Sequence, residues 1–595
     1  MRLIMLSALA ALVALSCGGE PEPLNLVLVG LDTVRSDHMG CYGYERSTTP
    51  AIDRLADEAA LFEYALSHSP WTLPSFATVF TSLYPTQHGA GFLTSSMGRS
   101  FPTLASILAD NGYSTGAIVN TAALSPAFGI DRGFQDYDLA SMAAGRVADG
   151  TTRDALSWID RNAGRPFFIF VHYYDPHLSY SPPAPYDTLF DPEYAGPLSN
   201  SFNPDFLMSD RPEGFKRMNA YPAADKMHIE ALYDGEIAYA DAAIGDLLAG
   251  LDERDLRDKT LVVFLSDHGE EFFDHGGFAH GHTLYEELLH VPLMFSLPGR
   301  IPPARIPDIV RLVDVMPTIL SLLGIETDAH MEGNTLTGMM LDQAPAPSDE
   351  VTLLPEGVLS EGLLYGPEQK SIMVFPWKLT RNIGTNREML FNLDRDPGET
   401  ENLIGAGTSD VRAGLESLLY KTLFEASDTW YVEAAAGGEE HVFDISITGG
   451  QTPASAGIFL YKAFDSDGNM IPDDEIGLVH GPGSSLSVPR LKCTGKITLG
   501  FKLESPAAPV IFDLSIDGRP AQSRTYIGEG MSLPDQMPFT RRGGRHGRKT
   551  LGKPVAPPGM PYYFVWHSGQ DYDSRPALKM SRDVQKELRS LGYIQ

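Results

Sequence analysis

The sequence predicts an α/β protein: a parallel-rich sheet between helices, followed by a small α+β subdomain and an extra β-sandwich-like domain. Three observations predict the first part. Leu24–Leu31, Arg165–His172 and Thr260–Leu265 are near-continuous apolar runs of strand length, as expected of strands buried on both faces. Helix-patterned stretches alternate with them, which puts helices on both sides of the sheet. Polar residues follow each run: Asp32-Thr33, Asp175-Pro176-His177 and Asp267-His268-Gly269. In parallel sheets, ligands bind beyond the C-terminal strand ends. The 595 residues exceed a single core, so several domains are expected. The balance of 45 Lys+Arg against 77 Asp+Glu, a net charge of −32, argues against a nucleic-acid binder. A small anionic substrate remains compatible with it, because a metal ion can set the local field.

Residues 1–17 begin with Arg2, run apolar from Leu3 to Leu15 and end in Ser16-Cys17-Gly18. The run is too short for a membrane span and reads as a signal peptide. The small residue before Cys17 makes that cysteine the expected lipidation site of an exported lipoprotein. Such a protein is anchored to a membrane and faces the periplasm or the cell exterior. Cys41 and Cys493 then lie in different regions, which gives no disulfide framework. Pro50–Phe62 carries helical spacing and opens on proline. In Ser69–Gly89, Thr72 stands at the start of a helix pattern, as an N-cap would, with Pro74 in the first turn and Tyr84-Pro85 as the stop. Helices are expected over Thr103–Asn111, His228–Leu251 and Val313–Leu323, and strands over Ser114–Val119 and Val291–Phe295. These elements make a domain over 24–325.

The α+β subdomain covers 326–427, with paired strands at Lys370–Phe375 and Trp377–Thr380 and a helix at Val411–Glu425. Over 428–530 helix patterns vanish and short strands recur, the pattern of a β-sandwich. Asp465–Asn469 lacks helical flanks and reads as a hairpin turn rather than a calcium loop. Residues 531–595 read as a basic linker, including Arg541–Lys549, and a C-terminal tail.

Asp32, Thr72, Asp267 and His268 together offer two carboxylates, a hydroxyl and an imidazole, a donor set for a divalent metal. A hydroxyl at a helix N-terminus lies beside unpaired N–H groups that favour an anion. A metal on the Thr72 oxygen would make it a nucleophile toward a tetrahedral anionic ester. His177 and His280 could contact the substrate and protonate its leaving group.

By the motifs it carries, the chain resembles the sulfatase family of the alkaline phosphatase superfamily from Asn25 to about Glu425. The resemblance is carried by Asp32-Thr33-Val34-Arg35, Thr72-Leu73-Pro74-Ser75, Tyr84-Pro85-Thr86-Gln87-His88-Gly89 and Asp175-Pro176-His177. It continues through Asp267-His268-Gly269-Glu270, His280-Gly281-His282, Asp314-Val315-Met316-Pro317-Thr318 and Asp394-Arg395-Asp396-Pro397-Gly398-Glu399. It implies the family fold and one divalent ion (Ca, Mn, Mg or Zn) on Asp32, Thr72, Asp267 and His268. It also implies Thr72, His177 and His280 as catalytic residues, and an anionic ester substrate carried on a glycan or a lipid.

The chain departs from the family signature at four positions. Thr72 replaces the cysteine or serine that becomes formylglycine, and threonine cannot become an aldehyde. Phe76 replaces an arginine, Thr33 the second aspartate, and His268 the commoner asparagine. A sulfated threonine lacks the aldehyde route for expelling sulfate, whereas phosphothreonine can be resolved by water or an alcohol. The expected activity is therefore hydrolysis of a sulfuric or phosphoric ester. The alternatives are a phosphoglycerol- or phosphoethanolamine-type transferase and a non-catalytic, glycan-binding surface lipoprotein.

Overall fold

The computed structural model describes residues 23–425 apart from 92, 94, 95, 100, 141–146, 205–210, 342–356 and 383–386. It also describes the strand-bearing segments between 430 and 527, strand Tyr562–His567, and residues 580–581 and 584–586. Cys17, Asp465–Asn469 and Arg541–Lys549 lie outside the described residues.

Eight strands form the central sheet: β1 (Asn25–Leu31), β2 (Ala60–Leu66), β3 (Ser114–Val119), β4 (Asp136–Leu139), β5 (Phe167–Tyr173), β6 (Thr260–Ser266), β7 (His290–Ser296) and β8 (Ala304–Arg311). Their spatial order is β8-β2-β7-β6-β1-β5-β3-β4. The helices that position the site are α1 (Pro50–Ala56), α2 (Thr72–Thr81), α3 (Leu104–Asp110), α4 (Ala148–Asn162), α5 (Arg211–Asn219) and α6 (Ala223–Asp252). The apolar runs fill two cores at once. Leu26, Leu28, Phe168, Phe170, Leu261 and Val263 pack on the α2 and α3 side. Val27, Val29, Phe167, Ile169, Val262 and Phe264 pack on the side of α1, α4 and α6. Burial on both faces is why these strands read as unbroken apolar runs.

The structure alters the sequence reading at several elements. The Val291–Phe295 strand, β7, runs antiparallel to both β2 and β6, so the sheet is mixed. The helix expected over 50–62 stops at Ala56, and Ala60-Leu61-Phe62 open β2, whose pairing with β7 and β8 outweighs helical spacing. β8 escapes a propensity reading because Pro307 interrupts it, at a register shift between Ile306 and Ile309. α2 begins at Thr72 itself. Trp71 is its extended N-cap residue and there is no side-chain cap bond, so Thr72 is not the cap.

The four antiparallel strands Val358–Glu361, Gln369–Val374, Trp377–Asn382 and Glu388–Asn392 pack on helix Ser409–Glu425 through Leu359, Ile372, Leu379, Leu415 and Leu419. This sheet grips the segment before α2. Trp71 Nε1–H donates to Gly362 O at 2.6 Å, Ser69 Oγ–H to the same oxygen at 3.2 Å, and Glu361 N–H to His68 O at 2.9 Å. Beyond residue 430, a five-stranded and a six-stranded antiparallel sheet share one core, with Val432, Leu499 and Phe501 facing Phe443, Ile445 and Val488. Strand Tyr562–His567 pairs with Trp430–Ala435, inside the span that the sequence reading gives to linker and tail. Its aromatic run Tyr-Tyr-Phe-Val-Trp is strand-forming in composition. Among the described residues, no helix is long and apolar enough to cross a membrane.

A short hairpin, Glu271–Phe272 with Phe278–Ala279, leads directly to His280. His275 in its turn bonds Glu287 Oε1 at 2.8 Å and Gly398 O at 3.1 Å and stacks on Tyr285 at 3.5 Å. Burial alone would lower the His275 pKa, but Glu287, joined by Glu399 and Glu271, lifts it to about 9. Its stabilising contribution is therefore complete below the unfolded value of about 6.5 and is lost as pH rises through about 9. The expected outcome is that the melting-temperature difference between the wild type and His275→Gln, measured by calorimetry, is largest near pH 6 and shrinks toward pH 9.5.

Candidate active site

The register of three strands builds the site. β1 pairs with β6 so that Leu31 lies opposite Ser266, and with β5 so that Gly30 lies opposite His172. The next residues, Asp32 and Asp267, therefore emerge side by side at the C-terminal strand ends, with His172 beneath them. Asp32 N–H bonds Tyr173 O at 2.9 Å, continuing the ladder by one residue. Thr33 then turns sharply at φ 59°. That left-handed turn sends its N–H to Asp267 Oδ1 at 3.2 Å, and Tyr233 of α6 holds its carbonyl at 2.7 Å.

Asp32, Asp267 and His268 are buried, with one ligand atom from each within 4.8 Å of the others. Asp267 Oδ1 accepts the N–H groups of Thr33 and His268, while Asp267 Oδ2 and both oxygens of Asp32 have no hydrogen-bond partner. Burial pushes both carboxyl groups up to about 7. The His268 charge opposes the rise, and Asp32 adds to the rise at Asp267. His268 Nδ1–H donates to Gly269 O at 2.9 Å, which leaves the Nε2 lone pair facing Asp267 Oδ2 at 3.4 Å and Asp32 Oδ1 at 3.6 Å. Orphaned buried carboxylate oxygens beside an imidazole acceptor are a donor set for a divalent cation.

Thr72 Oγ1 lies 3.4 Å from His268 Nε2, at the first residue of α2. Ser75, one turn on, donates to Asp267 O at 2.7 Å and so ties the helix to the loop that carries Asp267 and His268. Phe76 packs in the hydrophobic core beside the site. It is buried against Phe170 and His172, at centroid distances of 5.1 and 5.4 Å, and its ring fills the space above Gly30, where a Cβ would sit 2.7 Å from Phe76 Cζ.

His177 and His280 complete the cluster, with ring centroids 4.8 Å apart and His280 4.5 Å from His268. His177 Nδ1–H donates to Leu178 O at 2.6 Å; His280 Nδ1–H donates to Glu270 Oε1 at 2.7 Å, and Tyr180 holds Glu270 Oε2 at 2.9 Å. In His280, Nε2 is thus left as the acceptor nitrogen. Burial holds both pKa values well below the usual histidine value, reinforced at His177 by His280 and at His280 by His268. All six sequence-derived residues, Asp32, Thr72, His177, Asp267, His268 and His280, are brought together. The sequence reading did not assign roles to His172, whose Nε2 is 3.3 Å from Asp32 Oδ2, to Glu270 or to Tyr180. His172 was hidden as the polar end of an apolar strand, and Tyr180 lies in a proline-rich loop that carries no periodic signal.

The sulfatase family model matches residues 24–325, and a model described as N-sulphoglucosamine sulphohydrolase, C-terminal, matches 273–424. Arylsulfatase K of Gallus gallus is 25% identical over 459 residues, covering 67% of this chain and 84% of that protein. Among solved structures, one in complex with its substrate D-glucosamine-2-N,6-O-disulfate aligns with TM-score 0.57 at 20% identity, over 67% of this chain and 97% of the other. The phosphonate monoester hydrolase of Agrobacterium radiobacter aligns with TM-score 0.55 at 21% identity, over 67% and 95%.

Removing one of two crowded carboxylates removes both a ligand and a source of repulsion. Asp32→Asn is expected to lower divalent-ion affinity by more than about 100-fold, read by plasma emission spectroscopy after dialysis against trace metal. Chelation should lower the melting temperature of the wild type and leave that of Asp32→Asn unchanged.

Proposed function

The chain belongs to the sulfatase family and is a sulfatase-like ester hydrolase, and from that premise we propose that it cleaves an anionic ester of phosphoric or phosphonic acid with Thr72 as nucleophile. The observation that carries this reading is Thr72 Oγ1 at the α2 N-terminus, 3.4 Å from His268 Nε2, in a sequence with no cysteine or serine at that position. A divalent cation on Asp32, Asp267 and His268 would supply Lewis-acid activation of the hydroxyl and of a non-bridging ester oxygen.

The chain's own residues do the rest. The grip of Gly362 on Trp71 and Ser69 and the Ser75–Asp267 bond fix Thr72 for in-line attack. The first N–H groups of α2 face the developing negative charge. Burial holds the pKa values of His177 and His280 below the usual histidine value, and the bond from His280 Nδ1–H to Glu270 leaves its Nε2 as the acceptor nitrogen. An anion arriving beside them raises their proton affinity, so that one can donate to the departing alcohol oxygen. Attack forms a threonyl ester and releases that alcohol, and water then displaces the acid group and restores Thr72. Sulfate esters are disfavoured because a sulfothreonine has no aldehyde to reform. A substrate displayed on a glycan or lipid fits an exported protein anchored at Cys17, which is part of the same reading.

Thr72→Ala should lower kcat/KM by about 1,000-fold or more on every ester that the wild type turns over, while Thr72→Ser retains substantial activity. The panel is an aryl phosphate, phosphate diester, phosphonate monoester and sulfate, each with Ca, Mn, Mg and Zn. Full activity of Thr72→Ala overturns the nucleophile, and a preference for the sulfate overturns the substrate class. Cys17→Ala should move the expressed protein from the membrane fraction to the soluble exported fraction on immunoblotting.

A further inference from the structure

The cations nearest the site are engaged or absent. Arg35 is forked onto Asp37 at 2.7 and 2.8 Å, with Asp274 at 3.0 Å, and Phe76 stands where an arginine is expected. Arg211, the first described residue of α5, is different. Arg211 hydrogen-bonds the Tyr365 side chain and has no carboxylate partner among the described residues, and its Nη1 is shut off from solvent with no hydrogen-bond partner. Its guanidinium lies 3.4 Å from the centroid of the Tyr365 ring. That ring is docked beside the site. Gly281, next to His280, turns at φ 82° and accepts N–H bonds from Leu364 and Tyr365, both at 2.9 Å. The aromatic layer leaves room only for glycine there, since a Cβ at 281 would meet Leu364 Cβ at 3.0 Å and Tyr365 Cδ2 at 3.4 Å. Farther along α5, Phe215 lies 5.0 Å from the His282 ring.

The order outward from the nucleophile is therefore His268, His280, then Arg211 on its Tyr365 platform. Through Tyr365 and Gly281 the guanidinium is tied to the His280 side of the site, the side of the proposed leaving-group donor. A desolvated donor without a partner costs free energy that only an acceptor recovers. Stacking presents the guanidinium edge for bidentate binding of a planar carboxylate or of a second tetrahedral anion.

We propose that Arg211 is a specificity residue that binds a second anionic group on the alcohol portion of the substrate, so that the preferred ester has a negatively charged leaving group. This rests on the ester-hydrolase reading of the site. It assigns the substrate to esters of acidic alcohols, such as those of a uronate or of a multiply anionic sugar or lipid headgroup.

The test compares two non-reacting ligands, phenylphosphonate and 2-carboxyphenylphosphonate, by calorimetry on metal-loaded full-length protein. The wild type should bind the carboxylated ligand about tenfold more tightly. Arg211→Gln should bring the ratio of the two affinities toward one, and Arg211→Lys should keep part of it. The same ratio in kcat/KM for phenyl phosphate and 2-carboxyphenyl phosphate should follow, carried mainly by KM. Equal binding of the two ligands by the wild type overturns the proposal, as does an undiminished ratio in Arg211→Gln. Because binding needs no turnover, an inactive wild type that still discriminates refutes the hydrolase reading and leaves Arg211 as an anion-binding residue.

Discussion

Two carboxylates, Asp32 and Asp267, leave adjacent strands at the same level, inside the protein and short of hydrogen bonds. Like charges so placed repel, and burial penalises each of them. The surrounding architecture makes the arrangement tolerable. Backbone N–H groups of Thr33 and His268 share one oxygen of Asp267, the left-handed turn at Thr33 is held by Tyr233, and the His268 ring is locked so that its lone pair faces inward. These groups stabilise a geometry suited to a divalent cation. A cation bound between the two carboxylates would offset that electrostatic cost.

Thr72, the proposed nucleophile, is positioned from the opposite direction. Thr72 sits at the start of α2, and the segment before it is held by a strand that enters the chain nearly 300 residues later, through Gly362 and Glu361. The strand ends that carry Asp32 and Asp267 and the helix that carries Thr72 are thus fixed by different parts of the chain and meet across Ser75 and Asp267. This division fits a family in which site chemistry varies on a constant scaffold. Here Phe76 has become part of the floor beside Gly30, and cationic character is available instead from α5 at Arg211.

The strands and most of the site were legible in the sequence because each rests on a local pattern. β1, β5 and β6 show their double burial as apolar runs, and Asp32 and Asp267 follow them directly. What sequence could not show depends on partners distant in the chain. The reversal of β7 follows from what lies on either side of it. β2 was absorbed into a helix because its first three residues also fit helical spacing, and only pairing with β7 and β8 decides between the two. The roles of Glu270 and Tyr180 come from hydrogen bonds to His280 and to each other, and the exposure of Nε2 on His280 follows from them. Thr72 as cap and Thr72 as first helical residue differ by one position, below the resolution of pattern reading.

The pairing of Trp430–Ala435 with Tyr562–His567 also bears on how the molecule is assembled. Trp430 finds His567 as its partner across more than a hundred intervening residues, and the five-stranded sheet places the early strand between that late one and Lys496–Leu503. Contacts of such sequence separation form slowly, because the loop must close before the ladder contributes. During synthesis the first two hydrophobic cores can consolidate while the sandwich still waits for its last strand. The C-terminal unit is thus the late-folding part of the chain, and a truncation before residue 562 would leave the open edge of Trp430–Ala435 as a template for pairing with other chains.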